Sequence, residues 1–184
     1  MSQEVDIMEK TGVQKLAKVL RVCVIVLFVC VILAMTAVPR LLSLRWVTTD
    51  NIKDEIWLFF RSYLAIFADP YDAVLALFLW VCGVCAANIL WQGKRVLENI
   101  IYGAPFHSGN AVSLNRAAVS CFVISAAALA RLIWGFFYYK SVGPLLTYNA
   151  LFVPVFLVGG LLFLVMSALF RQAAELKAEN DLTI

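Results

Sequence analysis

Four long apolar runs, each closed by charge, constrain this chain more than any other feature. A bilayer's hydrocarbon core is about 30 Å thick, so a helix crossing it needs about 20 mostly apolar residues. The runs at 22–38, 73–91, 117–139 and 150–170 meet that requirement. Arg21 and Pro39–Arg40 bracket the first, Asp72 and Lys94–Arg95 the second, and Arg116 and Lys140 the third, while Arg171 closes the fourth. Composition agrees: 63% of the 184 residues are hydrophobic and 15% charged, against about 45–50% and about 25% in soluble domains. The expected architecture is an all-α integral membrane four-helix bundle, with residues 1–184 as a single transmembrane domain. The first run also follows a basic stretch of Lys10, Lys15, Lys18 and Arg21, as a signal peptide does, with small residues at Ala34 and Ala37. Its length exceeds the 7–15 residues of a usual signal core, so it is read as a retained helix.

Lysine and arginine near the helix ends set the expected orientation, because they accumulate on the cytoplasmic side. One side holds Lys10, Lys15, Lys18, Arg21, Lys94, Arg95, Arg116, Arg171 and Lys177; the other holds Arg40, Arg45, Lys53, Arg61 and Lys140. A multi-pass protein of the cell membrane with both termini cytoplasmic is the expectation. Trp46, Trp57, Trp91, Tyr138 and Tyr139 fall near the predicted interfaces, where amphipathic rings prefer to sit.

Between the first two runs, Ile52, Ile56, Phe59, Phe60, Tyr63, Leu64 and Phe67 recur at helical spacing, with Asp50 as a cap and Asp69–Pro70 as a stop. Arg61 within that stretch favours an interfacial helix on the outer side over a fifth span; a lid over the bundle's outer mouth is the alternative. The second span is expected to continue as a helix through Lys94, Arg95, Leu97 and Glu98 and to break at Gly103 and Pro105. Asn110 stands where an N-cap of the third helix is expected. The fourth helix should leave the membrane at Arg171 as a cytoplasmic tail over 171–184, supported by an Arg171/Glu175 pair.

The charge pattern and the polar residues define what chemistry is open. The net charge of +3 comes from scattered residues rather than a dense basic block, so direct nucleic-acid binding is not expected. Cys82-Gly83-Val84-Cys85 places two thiols one helical turn apart and invites comparison with quinone-linked thiol oxidoreductases of the membrane. The pair falls mid-span, however, and no loop carries a cysteine to exchange with it; small residues for close helix packing are the favoured reading. Arg131 is an ionisable group inside the third span, and such groups are functional candidates by default. With Asp72 and Asn88 it forms a candidate intramembrane polar site, read either as an anion contact or as a snorkelling or Asp72-paired cation. Asn88 and Asn149 are read as interhelical hydrogen-bonding groups. His107 is the only histidine and has no ligand-spaced partners in sequence, so no metal site, cofactor or catalytic constellation is assigned and the chain is read as a non-enzyme. Gly159–Gly160, after Pro154, reads as a packing notch or a bend in the fourth span.

Two stretches carry more than composition. Pro105-Phe106-His107-Ser108-Gly109-Asn110 with Leu114-Asn115-Arg116, and the ending Glu175-Leu176-Lys177-Ala178-Glu179-Asn180-Asp181-Leu182-Thr183-Ile184, resemble a widespread bacterial four-helix membrane family whose domain is of unknown function. Members share a Pro-Phe turn, an Asn opening the third helix and an ending close to Glu-Asn-Asp-Leu-Thr-Ile. This chain departs at Asn115, where members commonly carry a second basic residue. The resemblance implies no reaction, but relatives are often encoded beside a small helix-turn-helix regulator.

The expected role is therefore a non-enzymatic partner of a cytoplasmic regulatory protein, docking through Asn110, Arg116, Glu175, Glu179, Asn180 and Asp181. The same residues serve equally as an intramolecular clamp, with Asp181 or the Ile184 carboxylate meeting Lys94, Arg95 or Arg116. The alternative role is a small transporter or ligand-binding bundle using Arg131, which at this length requires a homo-oligomer in the form of a homodimer.

Overall fold

A computed structural model describes residues 2–43, 70–140, 143 and 149–182. They form four helices: α1 (Ser2–Ser43), α2 (Pro70–Ile101), α3 (Ser108–Tyr139) and α4 (Asn149–Leu182). Each is long and apolar enough to cross a membrane. The interfacial helix expected over 52–67 lies outside the described residues.

The helices follow one another in antiparallel order, α1 packing on α2, α2 on α3 and α3 on α4. Among the described residues α1 and α4 do not pack on each other, so the bundle is a row with two free edges. Matching contacts fix the register of each pair. Arg21, Phe28 and Met35 of α1 meet Glu98, Trp91 and Gly83 of α2. On the other side of α2, Asn99, Asn88 and Phe78 meet Asn110, Ser120 and Arg131 of α3. Along the last pair, the Ala111 carbonyl, Phe122 and Ser125 of α3 meet Ser167, Gly160 and Val153 of α4.

Packed between α2 and α4, α3 is the most deeply buried of the four. It meets them with small side chains: Ala111, Ala117, Ala118, Ser120, Cys121, Ser125 and Ala128 are all buried. Helix association in lipid gains nothing from hiding apolar surface, since lipid tails are equally apolar; it relies on close backbone approach and hydrogen bonds between helices. Both occur here. Two glycines accept a neighbour where a Cβ would force it to move: a Cβ at Gly83 would lie 2.6 Å from Met35 Cγ, and one at Gly160 would lie 2.8 Å from the Phe122 ring. The close approach fits the packing reading at Gly83 and at Gly160, whereas Gly159 has open space beside it. α4 runs as an unbroken helix through Pro154, and the Ser125 hydroxyl donates to the Val153 carbonyl one residue before it, 3.0 Å away.

Over 29–33 of α1 and 151–161 of α4 every exposed side chain is apolar, with Val29, Ile32 and Leu33 on one and Leu151, Val155, Val158 and Leu161 on the other. A soluble monomer does not expose patches of that extent; hydrocarbon covers them. The boundaries of that layer are marked by aromatic rings. Tyr71, Trp134 and Tyr138 stack at one end, and Phe28 and Trp91 meet at the other. Tyr71 and Trp91, both on α2, are separated along the helix by about 30 Å at the helical rise, one hydrocarbon thickness. The helices are longer than that, and the last turns of α2 and α4 extend past the Trp91 level.

Candidate functional site

Beyond Trp91 the chain builds a compact turn. α2 ends where Gly103 takes a left-handed conformation (φ 76°), letting the Ala104 amide donate to the Asn99 carbonyl and the Gly103 amide to the Ile100 carbonyl. Glycine adopts that conformation without steric cost and closes the helix in a Schellman arrangement. The expectation that α2 continues past Glu98 and breaks at Gly103 is borne out.

The expectation that Asn110 caps α3 is not. The cap is His107, whose Nδ1 accepts from the Gly109 amide at 3.0 Å. Gly109 suits that cap because a Cβ there would approach the ring to 2.9 Å. Helix α3 therefore starts three residues early, at Ser108, and Asn110 turns inward from its first turn. It is fully buried, where its Oδ1 accepts from Asn99 Nδ2 at 2.6 Å and its Nδ2 donates to the Pro105 carbonyl at 2.7 Å. One side chain thus ties together the end of α2, the turn and the start of α3.

A second polar group lies deeper between the same helices. Asn88 Nδ2 donates to Ser120 Oγ at 2.7 Å, Ser120 Oγ donates to the Arg116 carbonyl, and Gln92 Nε2 donates to Asn88 Oδ1. The reading of Asn88 as an interhelical hydrogen-bonding group holds. The partners Asn99, Gln92 and Ser120 were missed from sequence; the usable signal was a polar side chain recurring on α2 at 88, 92 and 99, opposite small polar residues of α3.

The base of the tail is held to the turn. Phe106 packs against Phe170 with ring centroids 6.5 Å apart, and the Ser167 hydroxyl donates to the Ala111 carbonyl at 2.8 Å. From there α4 continues to Leu182, with Arg171, Glu175, Leu176, Lys177, Glu179 and Asn180 exposed. The expected Arg171–Glu175 pair is present at 3.0 Å. Arg116 is exposed on the third turn of α3, and Asp181 falls in the last turn of α4. Lys94 meets Glu98 at 3.7 Å within its own helix; Ile184 lies outside the described residues.

At the opposite end Arg131 is half-buried, three residues before Trp134 on α3 and so about one turn inside the aromatic boundary. Its guanidinium carbon lies 5.0 Å from the centre of the Phe78 ring, a cation–π arrangement. Phe78 also meets Phe152 of α4 edge-on at 6.1 Å, so this ring joins three helices. Asp72 lies in the first turn of α2. Cys82 and Cys85 are free thiols, half-buried in the α2 helix one and two turns further in than Phe78.

The four apolar helices, their lipid-facing outer surfaces and the two aromatic boundaries define a multi-pass membrane protein. No curated protein and no solved structure matches the chain. A family model matches residues 44–184, a span that takes in α2, α3 and α4, and the chain belongs to that family, described as Protein of unknown function (DUF2975).

Proposed function

We propose that the chain is a non-enzymatic membrane partner of a cytoplasmic protein, of the class of small helix-turn-helix regulators, with both termini in the cytoplasm. The observation that carries this reading is the form of the end bearing the α2–α3 turn. There, α4 projects past the membrane boundary as a helix to Leu182 with its polar and apolar side chains exposed, Leu176 at 67%. Its base is fastened to the turn through Phe106–Phe170 and Ser167–Ala111. The turn is stiffened by a fully buried Asn110, which acts as a support for the surface rather than a contact in it. A rigid platform of this kind presents a helix to a soluble partner at little ordering cost, since interface side chains and loops need not be fixed on binding.

Crosslinking in native membranes, followed by purification of the full chain and of a chain truncated before Glu175, tests the proposal. Recovery of a helix-turn-helix protein with the full chain and its loss on truncation, at unchanged thermal stability of the purified protein, is expected. A truncation that lowers the melting temperature without changing copurification assigns the tail to an intramolecular clamp. A truncation that changes neither removes the basis of the reading.

A further inference from the structure

At the same membrane boundary, α1 and α2 do not close on each other completely. A pocket of about 160 Å³ opens between them, lined by Val24, Ile25, Phe28, Leu90, Trp91 and Lys94. A cavity of about 150 Å³ holds a benzene-sized group, so this one has room for a short run of methylenes. Its walls are apolar except for Lys94, which stands at the watery side: the ammonium is 4.8 Å from the Trp91 ring centre, with the Arg95 guanidinium at 6.0 Å from the same ring. On the facing helix, Arg21 lies one turn beyond Val24 and Ile25 in the same direction. Three cations, Arg21, Lys94 and Arg95, flank this cleft, and one carboxylate, Glu98, lies 3.0 Å from Arg21 and 3.7 Å from Lys94. Arg21 Nε is buried with no hydrogen-bond partner in the protein.

The vertical order of these groups specifies the occupant. Apolar walls run from Phe28 and Leu90 past the Trp91 indole to Val24 and Ile25, which stand level with Lys94 and Arg95, and Arg21 with Glu98 lies one turn further toward water. We propose that this cleft is a binding site for an anionic phospholipid of the surrounding leaflet, with part of one acyl chain between Phe28 and Leu90 and the phosphate between Arg21, Lys94 and Arg95. A soluble phosphate would leave the apolar pocket unused, and a zwitterionic lipid would leave the surplus charge uncompensated. Basic pockets between helices at a membrane surface take anionic headgroups for this reason. The lipid fills the gap between α1 and α2 and adds to the attachment of α1, which has no other helix to lean on among the described residues.

The full-length protein, stripped of lipid in a neutral detergent and incubated with equal amounts of dioleoyl phosphatidylglycerol and dioleoyl phosphatidylcholine, tests this by native mass spectrometry. Preferential retention of phosphatidylglycerol is expected. A basic residue near a membrane surface contributes about 1 kcal/mol, or about fivefold, so Lys94→Gln with Arg95→Gln should lower the preference roughly 25-fold, whereas Lys140→Gln should leave it unchanged. Val24→Phe, which fills the pocket and keeps every charge, should also abolish retention. Equal retention of the two lipids by the wild type overturns the site, as does an unchanged preference in the Lys94/Arg95 variant. Undiminished binding in Val24→Phe, or displacement of the lipid by excess inorganic phosphate, reduces the cluster to surface charge or a soluble-anion contact and overturns the lipid assignment.

Discussion

Gly159 and Gly160 are neighbours in one helix, yet alanine at the two positions should act in opposite directions. In a helix interior alanine is favoured over glycine by about 1 kcal/mol, a gain common to both substitutions. At Gly159 nothing lies within 4 Å of the new methyl group, so Gly159→Ala should raise stability by about 0.5–1 kcal/mol. At Gly160 the methyl would sit 2.8, 3.0 and 3.0 Å from three atoms of the Phe122 ring. A ring cannot fold out of the way as a flexible chain can, so α3 and α4 must separate or the ring must leave its rotamer, at a cost of about 1–3 kcal/mol. Because the propensity gain cancels in the comparison, the difference between the two variants isolates that clash. Reversible unfolding in mixed micelles by titrated dodecyl sulfate measures it directly. Gly160→Ala should be less stable than Gly159→Ala by about 1–3 kcal/mol, and combining it with Phe122→Leu should remove most of the gap. Equal stability of the two alanine variants to within about 0.5 kcal/mol, the usual limit of additivity, would refute the argument that Gly160 sets the α3–α4 distance.

Three further outcomes follow from the same physics. Asn110→Ala strands Asn99 Nδ2 and the Pro105 carbonyl and should lower stability by about 1–3 kcal/mol; an unchanged unfolding curve would remove Asn110 as the support of the turn. Ser120→Ala breaks the Asn88 bond and should cost less, about 0.6–1.7 kcal/mol, so the ranking of the two variants is itself a check. Phe78→Leu removes the ring beneath Arg131, worth about 0.5–2 kcal/mol beyond packing, and that excess should vanish in an Arg131→Met background; persistence of the full cost there would show that the two side chains are not coupled.

The membrane class of this protein was legible in the sequence because a bilayer imposes a length and a composition that no soluble fold shares. The runs at 22–38, 73–91, 117–139 and 150–170 each fall inside a helix of the structure. Local backbone rules were legible too: Gly103 at the end of α2 and the Arg171–Glu175 spacing depend only on neighbours in sequence. Which face of each helix turns inward was not. In water, apolar residues mark the buried face, but in lipid both faces are apolar, so Val22 and Phe28, or Gly159 and Gly160, look alike until a neighbouring helix is placed beside one of them. The same holds for Asn110. Its side chain is suited to capping, and the sequence could place it only near a helix start; the structure turned it inward because His107 already holds the cap and Asn99, eleven residues back, is brought to 2.6 Å by the turn. Span number follows from hydrophobic free energy read residue by residue, whereas helix spacing, polar pairing and the cleft beside Trp91 arise from which surfaces meet.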